Sequence, residues 1–330
     1  MSKKEKDTAT GPIRAGFDLG GTKMLAKIFD ADYETIGKAK KKTHGNRGQD
    51  AGLERMVDTL NDALEDAGID RDDLTSIGVG CPGPIDPSKG EIVEAPNLGW
   101  SHVPVEEHLG KAFGCPVTIC NDVDAGAYAE YELGAARGAR CSVAIFPGTG
   151  IGAGAVIDGQ LLQGSRLSCM EIGHIPIHPE TSGDSEDSAT LETEASRLRI
   201  AIEAARAAYQ GRAPHLLATC GTDVSQITSG RLADSVAAGD VEVEKIVRRA
   251  ATLLGCGVAT LVHILAPDRI VLGGGLVEAM PELYLETVKA STEAHVLKPY
   301  IGTFEIVAAE LEDDAGVLGA AAWAARKAEV

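Results

Sequence analysis

Residues 13–29 read IRAGFDLGGTKMLAKIF. The apolar run over 13–18 has β character, Gly20 and Gly21 break it, and residues 24–29 resume as a second strand. A strand, a glycine turn and a strand can cradle a phosphate chain, because glycine permits both the tight turn and the close approach of backbone N–H groups. About 130 residues later the arrangement returns as a strand over 141–146, the turn Gly148-Thr149-Gly150, a strand over 151–157 and the hairpin signal Asp158-Gly159. The recurrence predicts a degenerate internal duplication.

Between the two copies, Leu53, Met56, Val57, Leu60 and Leu64 recur at helical spacing, and Gly68 is a natural stop. A strand through Ile77 and Val79 leads into CPGPIDP, which reads as a loop. Pro104 opens a helix that ends near Gly114, and the following strand over 117–120 runs out at Asn121-Asp122. Beyond the second copy come helical stretches, an apolar one among them over 246–265, then a strand over 270–272 entering Gly273-Gly274-Gly275. The closing DDAGVLGAAAWAARKAEV has the small residues that let a helix pack closely on a sheet, and is expected to fold back onto the first lobe.

The chain has 330 residues, more than most single cores sustain, so two domains are expected. Hydrophobic residues at 44%, aromatics at only 4%, and 39 glycines fit an α/β enzyme rich in tight turns. A formal charge of −18 repels phosphate backbones and anionic lipid, which disfavours nucleic acid and membrane as partners. The seven cysteines are scattered without a C-x-x-C pair, and the polar start MSKKEKDTATGP lacks a leader's apolar core. Both features predict reduced thiols in the cytoplasm, with residues 1–12 a disordered tail.

Three glycine turns lie at strand ends: Asp18-Leu19-Gly20-Gly21-Thr22-Lys23, Gly148-Thr149-Gly150 and Gly273-Gly274-Gly275. Any one alone is as well explained as a tight turn; three in one chain favour phosphate binding. No G-x-x-x-x-G-K-[ST] occurs. A G-x-G-x-x-G at 78–83 fails as a dinucleotide fingerprint, because Pro82 and Pro84 forbid the helix that must follow. Asp122, a carboxylate at a strand end, is the candidate general base for a hydroxyl attacking phosphorus. Its neighbour Asp124 is the nearest rival, and a helix N-cap is the plain alternative for either.

The motifs FDLGGTK, GVGCPGPID, APNLGW, NDVDAGAYAE, FPGTGIGAG, EIGH, VLGGGLV and DDAGVLGAA occur in an order that resembles ROK proteins, over nearly the whole chain from Ile13. That family comprises sugar kinases, uncharacterised proteins and sugar-responsive repressors. The resemblance implies an α/β, two-lobed, actin-like or hexokinase-like ATPase fold with ATP and sugar in the interdomain cleft. It places a smaller lobe over residues 13–135 with the final helix 314–330, and a larger lobe over 136–313. By motif, Gly20, Gly21, Thr22 and Lys23 resemble the first phosphate loop, Gly148, Thr149 and Gly150 the second, and Gly274 and Gly275 the approach to the nucleoside. Asp18 would hold Mg2+, through water. Asn97, Asn121, Glu171, His174 and Glu192 resemble the groups that bond sugar hydroxyls, and Asp122 matches the catalytic aspartate. A homodimer is implied as well.

Most ROK proteins follow the histidine with a C-x-C-G-x-x-G-C zinc segment, whereas here residues 175–191 read IPIHPETSGDSEDSATL without cysteine. No zinc is expected. His178, Glu180 and Asp184 read as a solvated acidic loop, and the means of positioning Glu192 and Ser196 is left open. The leading expectation is an ATP-dependent hexose kinase acting on glucose. N-acetylmannosamine, N-acetylglucosamine, fructose and allose are alternatives, as are a polyphosphate donor and a non-catalytic sugar sensor. A repressor would carry a winged helix-turn-helix before the first loop, and only 17 residues precede Asp18.

Overall fold

The computed structural model describes residues 11–177, 189–311 and 314–329. The expected tail lies, up to residue 10, outside them, as do His178, Glu180 and Asp184. The described chain forms two compact units, one of residues 11–132, 163–169 and 314–329, the other of residues 133–162, 170–177 and 189–311. Residues 163–169, expected with the second lobe, join the first; they form no helix or strand whose periodicity would mark them.

In the first unit, β1 (Ile13–Leu19) and β2 (Lys23–Phe29) make the expected antiparallel hairpin, and β3 (Thr35–Lys42) adds to its outer side. Helix α1 (Gln49–Ala67) buries Leu53, Met56, Leu60 and Leu64 on one face and stops at Gly68, whose φ of 67° lets its N–H reach back to Leu64 and Glu65. Strand β4 (Leu74–Cys81) follows. The stretch read as a loop then contains β5 (Ile85–Asp86), which pairs with β6 (Glu91–Ala95) and β7 (Trp100–Val103) in a three-stranded meander. Strands this short show little alternation, yet Ile85, Ile92 and Val103 are fully buried by them. Helix α2 (Val105–Phe113) begins after Pro104 and ends at Gly114; β8 (Val117–Asn121) and α3 (Asp122–Glu132) complete the run. The main sheet has the order β3-β2-β1-β4-β8, with β1, β4 and β8 mutually parallel.

The second unit repeats that plan. Strands β9 (Cys141–Pro147), β10 (Ile151–Ile157) and β11 (Gln160–Leu161) form the antiparallel side. After α4 (Leu191–Ala195), α5 (Arg197–Tyr209), α6 (Pro214–Cys220), α7 (Ser229–Ala237) and α8 (Val241–Leu265) comes β12 (Arg269–Leu272), parallel to β9. Helices α9 (Gly275–Ala279) and α10 (Pro281–His295) precede β13 (Glu305–Ala308), and the order β11-β10-β9-β12-β13 matches the first sheet position for position. The duplication legible in the two hairpins thus extends to whole sheets. By length and composition α8 could cross a membrane, but Val243, Val247, Leu254, Val258 and Val262 are buried in this unit's core.

Helix α11 (Ala315–Ala328) packs in the first unit against α3, β4 and β1. Backbones there nearly touch: a Cβ on Gly78 would stand 1.8 Å from the Ala320 oxygen, and one on Gly319 1.8 Å from the Ala125 oxygen. Gly78 of the G-x-G-x-x-G pattern is therefore explained by helix packing. Trp323 and Tyr128, both buried, meet edge to face at 5.1 Å across this junction.

Candidate active site

The first unit gathers its polar groups at the C-terminal end of the parallel strands. Asp18 on β1 lies in register with Gly80 on β4, which is in register with Cys120 on β8, so Asp18 and Cys120 are two strands apart, roughly 10 Å by sheet spacing, and Asp122 follows two residues beyond Cys120. Burial pushes the Asp18 carboxyl above its ordinary value, and the nearby Lys23 ammonium pulls it back down. Asp122 is exposed at the first position of α3, where the helix's positive end favours a carboxylate. Its Oδ1 accepts from the Val123 N–H at 2.9 Å.

Asp124 is buried inside the helix rather than at its cap. Asn121 takes the cap position, its Oδ1 accepting from Val123 N–H at 2.9 Å while its Nδ2 donates to the Gly83 oxygen at 3.2 Å. Those two bonds fix the strand-to-helix turn that presents Asp122. Asn97 lies in the turn between β6 and β7, where a Cβ on Gly21 would stand 3.5 Å from its own Cβ. The meander thus brings Asn97 to the first hairpin. In that hairpin the Gly20 N–H bonds the Lys23 oxygen at 3.0 Å. Buried Thr43 pins it further, donating its hydroxyl to the Gly20 oxygen at 2.6 Å and its N–H to the Thr22 oxygen at 2.9 Å.

In the second unit the matching hairpin closes through Gly148 N–H to the Gly150 oxygen at 2.8 Å. Glu192 sits against it, its Oε2 accepting the Ile151 N–H at 2.8 Å. A Cβ on Gly150 would lie 2.3 Å from that same oxygen, so a side chain there would displace the Glu192 carboxylate. Among the described residues, the N–H groups of Gly21, Thr22, Thr149 and Gly150 carry no hydrogen bond, leaving two on each hairpin for a ligand. Glu171 and His174 are exposed on either side of a short helical turn whose Ile172 is anchored in the core.

The positioning of Glu192 now has a physical account. Ile177 N–H bonds the Ala189 oxygen and Leu191 N–H the Ile175 oxygen, at 2.9 and 3.0 Å, closing an antiparallel stem. Thr190 and Thr193 cap α4 reciprocally, and Leu191 is fully buried. Ser196 then caps α5. A cavity of about 640 Å³ opens beside this helix, lined by Arg197, Ser225, Thr228, Ser229, Gly275 and Glu278 among others. It adjoins the third glycine turn, where Gly274 has a φ of 81°.

Sequence reading missed Thr43, Arg197 and the hydroxyl groups of the cavity. Thr228 alone left a trace, because ITSGR carries a helix N-cap signal and Thr228 does accept the Arg231 N–H.

Two α/β units of identical strand order, each opening on a glycine hairpin, define the two-lobed actin-like or hexokinase-like fold. Residues 14–327 match the ROK family, and the chain belongs to it. The glucokinase of Halalkalibacterium halodurans is 32% identical over 309 residues, covering 92% of this chain and 92% of that protein. The glucokinase of Thermotoga maritima is 30% identical over 310 residues, covering 93% and 95%. A ROK family glucokinase from Streptomyces griseus, solved in complex with glucose and AMPPNP, superposes with a TM-score of 0.79 at 27% identity, covering 95% of this chain and 99% of that one. The chain is a sugar kinase.

Proposed function

We propose that this enzyme transfers the γ-phosphate of ATP to the 6-hydroxyl of glucose, with Asp122 as general base. One observation carries the reading: an exposed carboxylate at the end of β8 accompanies two hairpins whose free N–H groups suit phosphate oxygens. Asp122 takes the hydroxyl proton as the sugar oxygen bonds to phosphorus and the bond to the β-phosphate oxygen breaks, releasing ADP. The proton then passes from Asp122 to water. Free N–H groups of Gly21, Thr22, Thr149 and Gly150, with the Lys23 ammonium, receive the charge spreading over the phosphates.

A magnesium ion fits beside Asp18, whose buried carboxylate is costly as an anion without a cation. When bound with the nucleotide, the ion would neutralise phosphate charge. The 640 Å³ cavity, rich in hydroxyl groups and reached by Gly275, suits the nucleoside. Glu171, His174 and Glu192 are assigned to sugar hydroxyls together with Asn97 and Asn121; the internal bonds of Asn121 and Glu192 make them orienting as well as binding groups. All seven cysteines are free, which suits a reducing cytoplasm, and a homodimer is the state the family resemblance implies.

The test is ADP release from MgATP with glucose and with N-acetylmannosamine, N-acetylglucosamine, fructose and allose, against a sugar-free control. Release that depends on glucose supports the assignment, and release with another sugar moves it there. Asp122→Asn is expected to keep glucose and ATP binding while lowering kcat about 10²–10⁴-fold. Near-normal turnover in that variant removes Asp122 from the base role.

A further inference from the structure

Arg197 holds a place that no motif assigned. It is the first residue of α5, and its N–H, one of the donors a helix start leaves unpaired, is spent on the Gly148 oxygen at 2.8 Å. Its guanidinium donates to Thr149 Oγ1 at 2.8 Å and reaches the Ile227 oxygen at 3.5 Å. One residue therefore grips the second hairpin by main chain and side chain, and also lines the 640 Å³ cavity.

The charge of Arg197 sets it apart from its neighbours. Arg199, Arg206, Arg212, Arg248 and Arg249 each pair with a glutamate. Arg197 has only neutral acceptors among the described residues, in a protein of formal charge −18. Glu278 lines the same cavity, yet the bonds Arg197 makes are to Thr149 and Ile227, so its positive charge is held at the phosphate hairpin. Its bond to Thr149 also has a direction: with an Oγ1 lone pair engaged, the hydroxyl proton of exposed Thr149 is left to donate outward.

We infer that Arg197 is a positioning residue for the phosphate donor, orienting the Thr149 hydroxyl and holding the second hairpin at the nucleotide's phosphates. This rests on the kinase reading and adds to it a residue that acts through another.

The test measures MgADP affinity by calorimetry, without sugar, for the wild type, Arg197→Met, Arg197→Lys, Thr149→Val and the Arg197→Met/Thr149→Val pair, with melting curves as a check on folding. Arg197→Met is expected to weaken MgADP about tenfold, the scale of one charge-assisted hydrogen bond. Arg197→Lys keeps the charge without the fork and should fall between. The double variant should bind no worse than the weaker single one, because both changes remove one interaction. In steady-state assays the KM for sugar should not move while the KM for MgATP rises. Equal affinity in wild type and Arg197→Met, or losses that multiply in the double variant, would overturn the assignment while leaving the kinase intact. A wild type that binds no MgADP would overturn the kinase reading, and this inference with it.

Discussion

At Asp18, burial raises the carboxyl above its ordinary 3.8, and only Lys23 opposes the shift. A group that holds its proton more tightly when folded favours folding only where it is protonated; once ionised, it lowers stability. Without magnesium, Asp18→Asn should therefore melt higher than the wild type at pH 7. The advantage should shrink as pH falls through the raised folded value and vanish below 3.8, where the wild-type carboxyl is protonated in folded and unfolded chains alike. Melting curves from pH 7 downward check this, and a variant that melts lower at pH 7 would show that the carboxylate is already compensated. A rise in melting temperature with MgATP is expected of the wild type and should be lost in the same variant. The strand-end positions of Asp18, Asp122 and the glycine turns were legible in the sequence because they belong to local motifs. Thr43 and Arg197 were not, since each acts through bonds to partners 23 and 48 positions away.

At the scale of an element, α11 shows how close two glycines can come to opposite roles. Gly319 has the Ala125 oxygen 1.8 Å from where a Cβ would stand, whereas a Cβ on Gly316 would meet nothing within 4 Å. Gly319→Ala should destabilise the protein by about 3 kcal/mol, because backbone must move to admit the methyl group. Gly316→Ala, in the first turn of the same helix, should stabilise it by about 0.5–1 kcal/mol through helix propensity. Denaturant unfolding of both variants tests the pair, and equal effects would mean that α11 does not approach α3 so closely. The small residues of this segment announced close packing from sequence alone. Strands β5 to β7 gave no such notice, because runs of two to five residues between prolines carry too little alternation to be told from a loop.

Over the whole molecule, the duplicated plan differs in how each unit completes its core. The second unit is finished by helices that lie between or beside its own strands, α5, α8 and α10 among them. The first must wait for α11, whose Val317 and Ala321 close over Phe29 after the entire second unit has been made. Contacts this distant in sequence form late and are lost with the end of the chain. Deleting residues 314–330 should therefore leave β1 and β4 without their cover, so their amides should exchange with solvent near the unfolded rate, while amides of α8 and α10 stay protected. Hydrogen exchange read by mass spectrometry resolves the two units separately. Protection of β1 and β4 in the shortened chain would mean that the first core closes without α11. Protection lost equally from both units would mean that they fold as one cooperative body, each depending on the other for stability.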